Sequence, residues 1–372
     1  MSYHQAMDID KLFRPLKIKN TTVPNRIVMA PMTTVSGNAD GSFSDEEISY
    51  LAQRAESGVG TIISPACYVH PLGQAFDHQV GCHSDAMIPS LEKCAAAIKK
   101  HDAVALLQIH HGGNATKEKF TGRPPLAPSP IKNRRGTSEM PTAMTEAEIL
   151  EAIEAFGAAA HRAEKAGFDG VQIHGANTYL LQQFFSPFTN KRNDQWGGEP
   201  KQSANRFENR SRFAREVIKS IRAQVSENFL VSYRISPEES DPFGYSVFDT
   251  IALLKILIPY GIDQLDISSL KYGKGLRGDY SRGTHPTYLI KDALIYMPVV
   301  GVGSVTTAED AMRVMDEGIE FVALGKQLLL DKDWVIKIQN GEHDKIRSTI
   351  TKEEIASLDI PEKMKAYLAN FY

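Results

Sequence analysis

Short runs of β-branched and aliphatic residues alternate along this chain with longer segments whose apolar positions recur every three to four residues. The first pattern is that of strands buried on both faces and the second that of amphipathic helices, and their alternation is the signature of βαβ units on a parallel sheet. The pattern predicts strands at Ile27–Met29, Thr61–Ser64, Ala105–Ile109, Gly170–Ile173, Leu230–Arg234, Gln264–Ile267, Val299–Gly301 and Phe321–Leu324. Between and after them it predicts helices at Asp45–Ser57, Ile88–His101, Glu146–Ala166, Asn205–Val225, Val247–Tyr260, Leu289–Ile295, Ala308–Met315 and Lys326–Leu330. Eight strands and eight helices in strict alternation point to a single α/β domain, a (β/α)8 TIM barrel.

Local signals agree. Thr145 and Glu148 have capping-box spacing ahead of the third helix, and Gly167 stands where a C-terminal glycine belongs. Thr307 occupies the N-cap position before "AEDAMRVM", a helix that ends at Gly318. Two long connections, His110–Met144 and Thr178–Ala204, both follow strands, so they lie on the C-terminal face, where barrel enzymes place their sites. The first, with "GRPPLAPSPIKNRRG", reads as a cover over the barrel mouth. No linker or charge block divides the 372 residues, so residues 1–372 read as one domain, with the barrel proper at about 26–332 and a helical extension over 333–372.

Composition changes this picture little. Hydrophobic residues make up 42%, enough for a large core, and a net charge of −3 gives no electrostatic reason to expect nucleic acid or an anionic membrane as partner. The N-terminal stretch lacks the apolar core of a signal peptide, and no apolar run approaches the ~18 residues of a membrane span, so a cytoplasmic protein is expected. Cys67, Cys82 and Cys94 form no C-x-x-C pair, which suits neither a zinc site nor an iron–sulfur cluster.

The candidate chemistry sits at strand ends. In "FDGVQIHGANTYLLQQFFSP" the run Val171–Ile173 leads into His174, with Asn177 and Tyr179 close behind. Imidazole and carboxamide can both donate to one carbonyl oxygen, and a phenol can hand over a proton nearby. A capping Asn, a core Tyr and a backbone-satisfied His would explain the same residues. Near the C-terminus, "GVGSVTT" and "ALGKQLLL" each end a strand in glycine and open a helix. In a barrel these are the seventh and eighth βα turns, which commonly bind phosphate, with Gly301, Gly303 and Ser304 in one and Gly325 and Lys326 in the other. Pro31, Met32 and Thr33 follow the first strand and Ala66 the second; Gln108 lies on the third and Arg234 on the fifth. A buried Gln and a buried Arg need partners, which a flat, polar, anionic ligand across the mouth would supply.

These residues bring the sequence to a family. It resembles the Old Yellow Enzyme family of FMN-dependent ene-reductases, in its bacterial NADH:flavin oxidoreductase branch, from "LFRPLKIKNTTVPNRIVMAPMTT" to "ALGKQLLLDKDW". "H-G-A-N-x-Y-L-x-x-Q-F" is the most specific motif, supported by "N-R-I-V-M-A-P-M" and "Q-I-x-H-x-G". The resemblance implies non-covalently bound FMN, with its phosphate at Gly303, Ser304, Gly325 and Lys326. It implies a flavin lined by Pro31, Met32, Thr33 and Ala66, Gln108 on the pyrimidine edge, and Arg234 stabilising the charge of the reduced ring. His174 and Asn177 would grip the carbonyl or nitro oxygen of an activated alkene, the reduced flavin would give hydride, and Tyr179 would protonate the α-carbon.

The same resemblance implies NADH or NADPH as reductant, using the same open face in a ping-pong cycle, since no G-x-G-x-x-G opens a βαβ unit. Homo-oligomers occur in the family. The sequence departs from the family pattern at Lys326, where arginine is usual, at Val35, often aromatic, and in the longer "NDQWGGEPKQSANRFENRSRF" stretch. Two other readings remain: a phosphate-binding barrel lyase or isomerase, which leaves Gln108, Arg234 and the His174 cluster without a shared ligand, and a non-enzymatic flavin binder, which has no use for Tyr179.

Overall fold

A computed structural model of the chain describes residues 8–133, 139–198, 206–275, 277 and 283–370. The expected helix start at Asn205, and residues 199–205 of the long stretch that precedes it, lie outside the described residues. The eight expected strands are all present: β1 (Ile27–Met29), β2 (Thr61–Ile63), β3 (Val104–His110), β4 (Gly170–Gly175), β5 (Leu230–Ile235), β6 (Gln264–Ile267), β7 (Val299–Val302) and β8 (Phe321–Leu324). Each pairs in parallel with its neighbour, β8 returns to β1, and β2 pairs with β3, so the sheet closes on itself. The eight helices follow as α1 (Asp45–Glu56), α2 (Ile88–Lys99), α3 (Glu146–Lys165), α4 (Arg206–Gln224), α5 (Val247–Leu257), α6 (Pro286–Ala293), α7 (Ala308–Met315) and α8 (Lys326–Leu330). The fold is a (β/α)8 TIM barrel.

Alternation along each strand builds two separate apolar layers. Ile27, Met29, Ile62, Ala105, Leu107, Val171, Ile173, Val231 and Tyr233 turn outward into the large core shared with the helices. The intervening residues, Val28, Ile63, Leu106, Leu230, Val300, Phe321 and Ala323 among them, fill the barrel interior. An N-terminal hairpin unforeseen in the pattern, Leu16–Ile18 against Thr21–Val23, adds Ile18 and Val23 to that inner cluster and so closes the end of the barrel opposite the mouth.

Helix ends differ from expectation by a few residues, for local reasons. Pro259 turns the end of α5 into a 3-10 turn, Ile258–Tyr260. α6 begins three residues earlier than expected because Pro286 takes its first position and His285 caps it. The capping boxes at Thr145/Glu148 and Thr307/Asp310 are formed, and Gly167 has φ +87°. The connection after β4 carries a short helix, Leu180–Phe185, all of it buried. Beyond α8, Trp334–Gln339 and Glu362–Leu368 form the helices of the C-terminal extension. No helix among the described residues is long and apolar enough to cross a membrane.

Candidate active site

Above the apolar inner layer the barrel turns polar. Strand register places Gln108 beside Gln172 and Arg234 beside Asp266. Their side chains join across the barrel: Gln108 Nε2 donates to Gln172 Oε1 (2.7 Å), and Gln172 Nε2 to Asp266 Oδ2 (2.9 Å). Arg234 completes the layer, donating from Nη1 to Asp266 Oδ1 (2.6 Å) and from Nη2 to Ser268 Oγ (3.0 Å). Gln108, Gln172, Arg234 and Asp266 are all buried, Gln172 and Asp266 at 0% exposure. This corrects one expectation: Gln108 and Arg234 do not depend on a ligand for all their partners, because Gln172 and Asp266, which the sequence analysis missed, supply some. A remainder is left over. Arg234 Nε and Ser269 Oγ are buried with no hydrogen-bond partner among the described residues. A buried cationic donor without an acceptor at a barrel mouth fits the electron-rich edge of a flavin.

The next layer holds the second set. His174, next to last in β4, stands two residues above Gln172, and the Ala176 N–H donates to its Nδ1 (3.3 Å), so its Nε2 carries the proton and is a donor. Burial first, then the neighbouring His110 and Arg234, push its pKa well below the usual histidine value, which keeps the ring neutral. The Tyr179 ring stands edge-on to it, with centroids 4.8 Å apart. His110 packs against both, its ring 5.4 Å from His174 and 4.3 Å from Tyr179.

His110 stands in no recognised motif position, yet it is held as firmly as His174. Gln79 Oε1 accepts from the Ala75 and Phe76 amides, which leaves its Nε2 to face the Ala66 carbonyl and His110 Nδ1. His110 therefore bears its proton on Nε2, where it meets no partner among the described residues, and burial pushes its pKa down to about 3.

Asn177 and Thr178 are held in the left-handed region, with φ of +56° and +66°. Two such residues in succession, one of them β-branched, cost of order 1–3 kcal/mol each and persist only where surroundings enforce them. Here the Asn177 amide donates to Ser236 Oγ (3.0 Å), the Thr178 amide to Gln182 Oε1 (2.9 Å), and Gln183 Nε2 to the Thr178 carbonyl (2.6 Å). The bend puts Asn177 on the border of three cavities that meet at the mouth. One of about 520 Å³ is lined by Val35, Phe76, Lys117, Asn177, Tyr179 and Tyr367. His174, Asn177 and Tyr179 are thus brought together on one face.

The remaining expected residues surround this face. Pro31, Met32 and Thr33 follow β1, half-buried, and Thr33 and Ala66 border one narrow crevice together with Val35 and Gln79. Met32 Sδ lies beside Gly325, within 3.7 Å of where a Cβ would stand. At the seventh turn Gly303 has φ +144° and Ser304 φ +52°. Just ahead of α7, Asp310 Oδ2 accepts from the Thr306 and Thr307 amides. Gly301 is small for packing, since a Cβ there would lie 2.7 Å from Val314 Cγ1. Gly303 abuts the loop after β6: a Cβ would fall 2.3 Å from the Tyr272 nitrogen, and Ser304 Oγ donates to the Leu270 carbonyl (2.9 Å). That loop brings Lys271 and Lys274 to a cavity of about 250 Å³ with Ser268 and Ser269, two cations unseen in the sequence reading. Lys326 is exposed at the start of α8.

The description "NADH:flavin oxidoreductase / NADH oxidase family" matches residues 11–345. The chain is 36% identical to the probable NADH-dependent flavin oxidoreductase YqiG of Bacillus subtilis, over 96% of each chain. It is 38% identical to the NADH:fumarate oxidoreductase of Klebsiella pneumoniae and to the NADH:acrylate oxidoreductase of Vibrio harveyi, but spans only 38% and 34% of their lengths. Among solved structures, an Old Yellow Enzyme homologue from Zymomonas mobilis superposes with a TM-score of 0.77 at 25% identity, covering 95% of this chain and 96% of that one. Morphinone reductase in complex with tetrahydroNAD gives 0.76 at 26%, covering 89% and 90%. The chain belongs to the NADH:flavin oxidoreductase / NADH oxidase family, the Old Yellow Enzyme family, whose members are flavin-dependent oxidoreductases that take FMN as cofactor and NADH or NADPH as reductant.

Proposed function

We propose that this chain reduces the C=C bond of activated alkenes, enones or nitroalkenes, in alternation with oxidation of NADH or NADPH over the same open face. The observation that carries the proposal is the convergence of a neutral, tautomer-fixed His174 with Asn177, on an enforced left-handed bend, and Tyr179. FMN when bound supplies the hydride. His174 Nε2–H and the Asn177 carboxamide bind the carbonyl or nitro oxygen and draw electron density toward it, and because His174 stays neutral it acts as a donor without giving up its proton. The Tyr179 hydroxyl delivers a proton to the α-carbon. Gln108, Arg234, Thr33, Ala66, Pro31 and Met32 would hold the flavin ring, and Gly303, Ser304, Gly325 and Lys326 its phosphate. Lys271 and Lys274 add positive charge beside that turn.

The test is anaerobic. Holoenzyme bleached with NADH or NADPH should recover its flavin absorption on addition of 2-cyclohexenone. Tyr179→Phe should slow that recovery by about 10²–10⁴-fold while leaving the nicotinamide half-reaction intact. His174→Ala should weaken enone binding. Recovery with oxygen but never with an enone would refute alkene reduction.

A second reading has its own support. The two oxidoreductases named for fumarate and acrylate are far longer than this chain. The matching segment could serve there as the nicotinamide-oxidising part, so this chain would pass electrons to an acceptor other than an alkene. The same experiment separates the two.

A further inference from the structure

Helix α1 buries Glu47, Tyr50, Leu51, Arg54 and Ala55. A core-facing stripe is normally apolar, but here three of these positions, spaced three and four residues apart, are polar and between 0% and 2% exposed. Each end of the polar stripe holds a segment of the candidate site. At the lower end Arg54 donates from Nε and Nη2 to the carbonyl of Leu328 in α8 (3.3 and 3.2 Å), just beyond Gly325 and Lys326. At the upper end the Thr34 hydroxyl donates to Glu47 Oε1. Glu47 Oε2 and the Tyr50 hydroxyl are buried with no partner among the described residues.

Thr34 sits between Thr33, at the crevice with Ala66, and Val35, which also lines the large cavity shared with Tyr179. Val35 is β-branched and has φ +49°, a conformation that persists only under constraint. Two side chains supply constraint at Thr34: Ser36 Oγ donates to its carbonyl (2.7 Å), and Glu47 holds its hydroxyl.

We propose that Glu47 is a positioning residue for the flavin-facing loop, holding Thr33 and Val35 in place through its hydrogen bond with Thr34. The proposal rests on the reading of Thr33 as a flavin contact. Burial raises the Glu47 carboxyl to about 7, against the lowering effect of the Thr34 bond and of Lys363 on the C-terminal helix; Glu46 adds to the rise. Facing it from elsewhere are Tyr50 on its own helix, Cys67 after β2 and Cys94 on α2, all of them uncharged because burial raises each of their pKa values. The carboxyl is therefore protonated below neutrality and ionised above it. The ionised form places a buried negative charge, only partly offset by Lys363, behind a loop that faces an anionic cofactor, so it should bind that cofactor less well.

The experiment uses the holoenzyme. The visible flavin band and the FMN dissociation constant, from ultrafiltration, are followed between about pH 6 and about pH 8. Wild type should show a transition near 7, with affinity falling at least about threefold across it, whereas Glu47→Gln, which keeps an acceptor for Thr34 but cannot ionise, should change less than about twofold. Thr34→Val, which removes the bond that lowers the carboxyl pKa, should move the transition upward; it is a second route to the same conclusion if Glu47→Gln folds poorly. Identical profiles in wild type and Glu47→Gln, alongside a spectrum that responds to Thr33→Ala, would refute the proposal alone. A Thr33→Ala enzyme with unchanged spectrum and affinity would refute the reading of the loop, and the proposal with it.

Discussion

Asp266→Asn tests whether the polar layer of the barrel is directional. A carboxylate only accepts, and Asp266 accepts twice, from Arg234 Nη1 (2.6 Å) and from Gln172 Nε2 (2.9 Å). Gln172 must then turn its Oε1 toward Gln108, which answers with Nε2 and turns its own Oε1 away. Asparagine is nearly isosteric, but if its oxygen stays with Arg234 its amide faces the Gln172 amide, donor to donor. The conflict resolves only if Gln172 and Gln108 both turn over, reversing the group that Gln108 presents at the mouth. The larger cost is electrostatic, because Arg234 and Asp266 have side chains 7% and 0% exposed and removing one charge leaves the other buried. Breaking such a pair costs about 3–5 kcal/mol, and the lower figure is expected because Ser268 Oγ and the new carboxamide oxygen still accept from Arg234. That is a large share of a typical stability of about 5–15 kcal/mol. Urea unfolding followed by circular dichroism, without FMN and with saturating FMN, measures it. The loss should be smaller with FMN, if the flavin gives Arg234 Nε the acceptor it lacks. A loss under about 1 kcal/mol in FMN-free protein, with an unchanged flavin spectrum in the holoenzyme, would show that Asp266 neither holds Arg234 nor sets the direction of the amides.

Gly303→Ala should destabilise the protein by about 1–3 kcal/mol and weaken FMN retention, because the new methyl would fall 2.3 Å from the Tyr272 nitrogen at a residue with φ +144°; FMN loss on dialysis and thermal melting report both, and an unaffected holoenzyme would refute the close approach. His110→Leu should cost about 1–3 kcal/mol, since it takes the Nδ1 acceptor from the buried Gln79 Nε2, whereas the Nε2–H it also removes has no partner among the described residues to lose; a loss above about 3 kcal/mol in urea unfolding would mean that this N–H is satisfied. Acid should weaken the fold before carboxylates of ordinary pKa titrate. His110 and His111 are held at about 3 by burial, so below their unfolded value of about 6.5 the unfolded chain binds more protons, and each removes on the order of 2 kcal/mol between about pH 7 and about pH 5. His174 acts in the same direction, while Glu47, raised to about 7, returns on the order of 2 kcal/mol over that interval, because the native state gains its proton first. A denaturation midpoint no lower at pH ~5 than at pH ~7 would contradict this balance.

The strands were legible because each is a compact apolar run closed by a turn signal, and burial on both faces leaves no alternative pairing that keeps the runs inside. The ends of α5 and α6 were less so, because Pro259 and Pro286 act through backbone geometry that apolar periodicity does not register. The N-terminal hairpin went unseen for a similar reason: its strands are three residues each and expose part of their surface, and only contact with the barrel interior orders them.

At the site, the residues read from the sequence were those that stand near a strand end in a recognisable motif, His174, Asn177 and Tyr179 above all. Gln172 and Asp266 carry the same signal as Gln108 and Arg234, a polar residue inside an apolar strand, yet nothing along the chain says which polar residues will meet. That is decided by register: β3 against β4 brings Gln108 to Gln172, β5 against β6 brings Arg234 to Asp266, and closure of the barrel sets both at one height. Glu47 and His110 were hidden differently. Glu47 looks like any first-turn acid on an amphipathic helix, and His110 is the first of two adjacent histidines, only one of which belongs to a motif. What marks both is total burial with one polar atom left unpartnered among the described residues, and burial is a property of the closed fold. The functional chemistry of this chain is therefore written locally in its motifs. The groups that aim that chemistry are set by register and burial, so they become readable only once the barrel has closed.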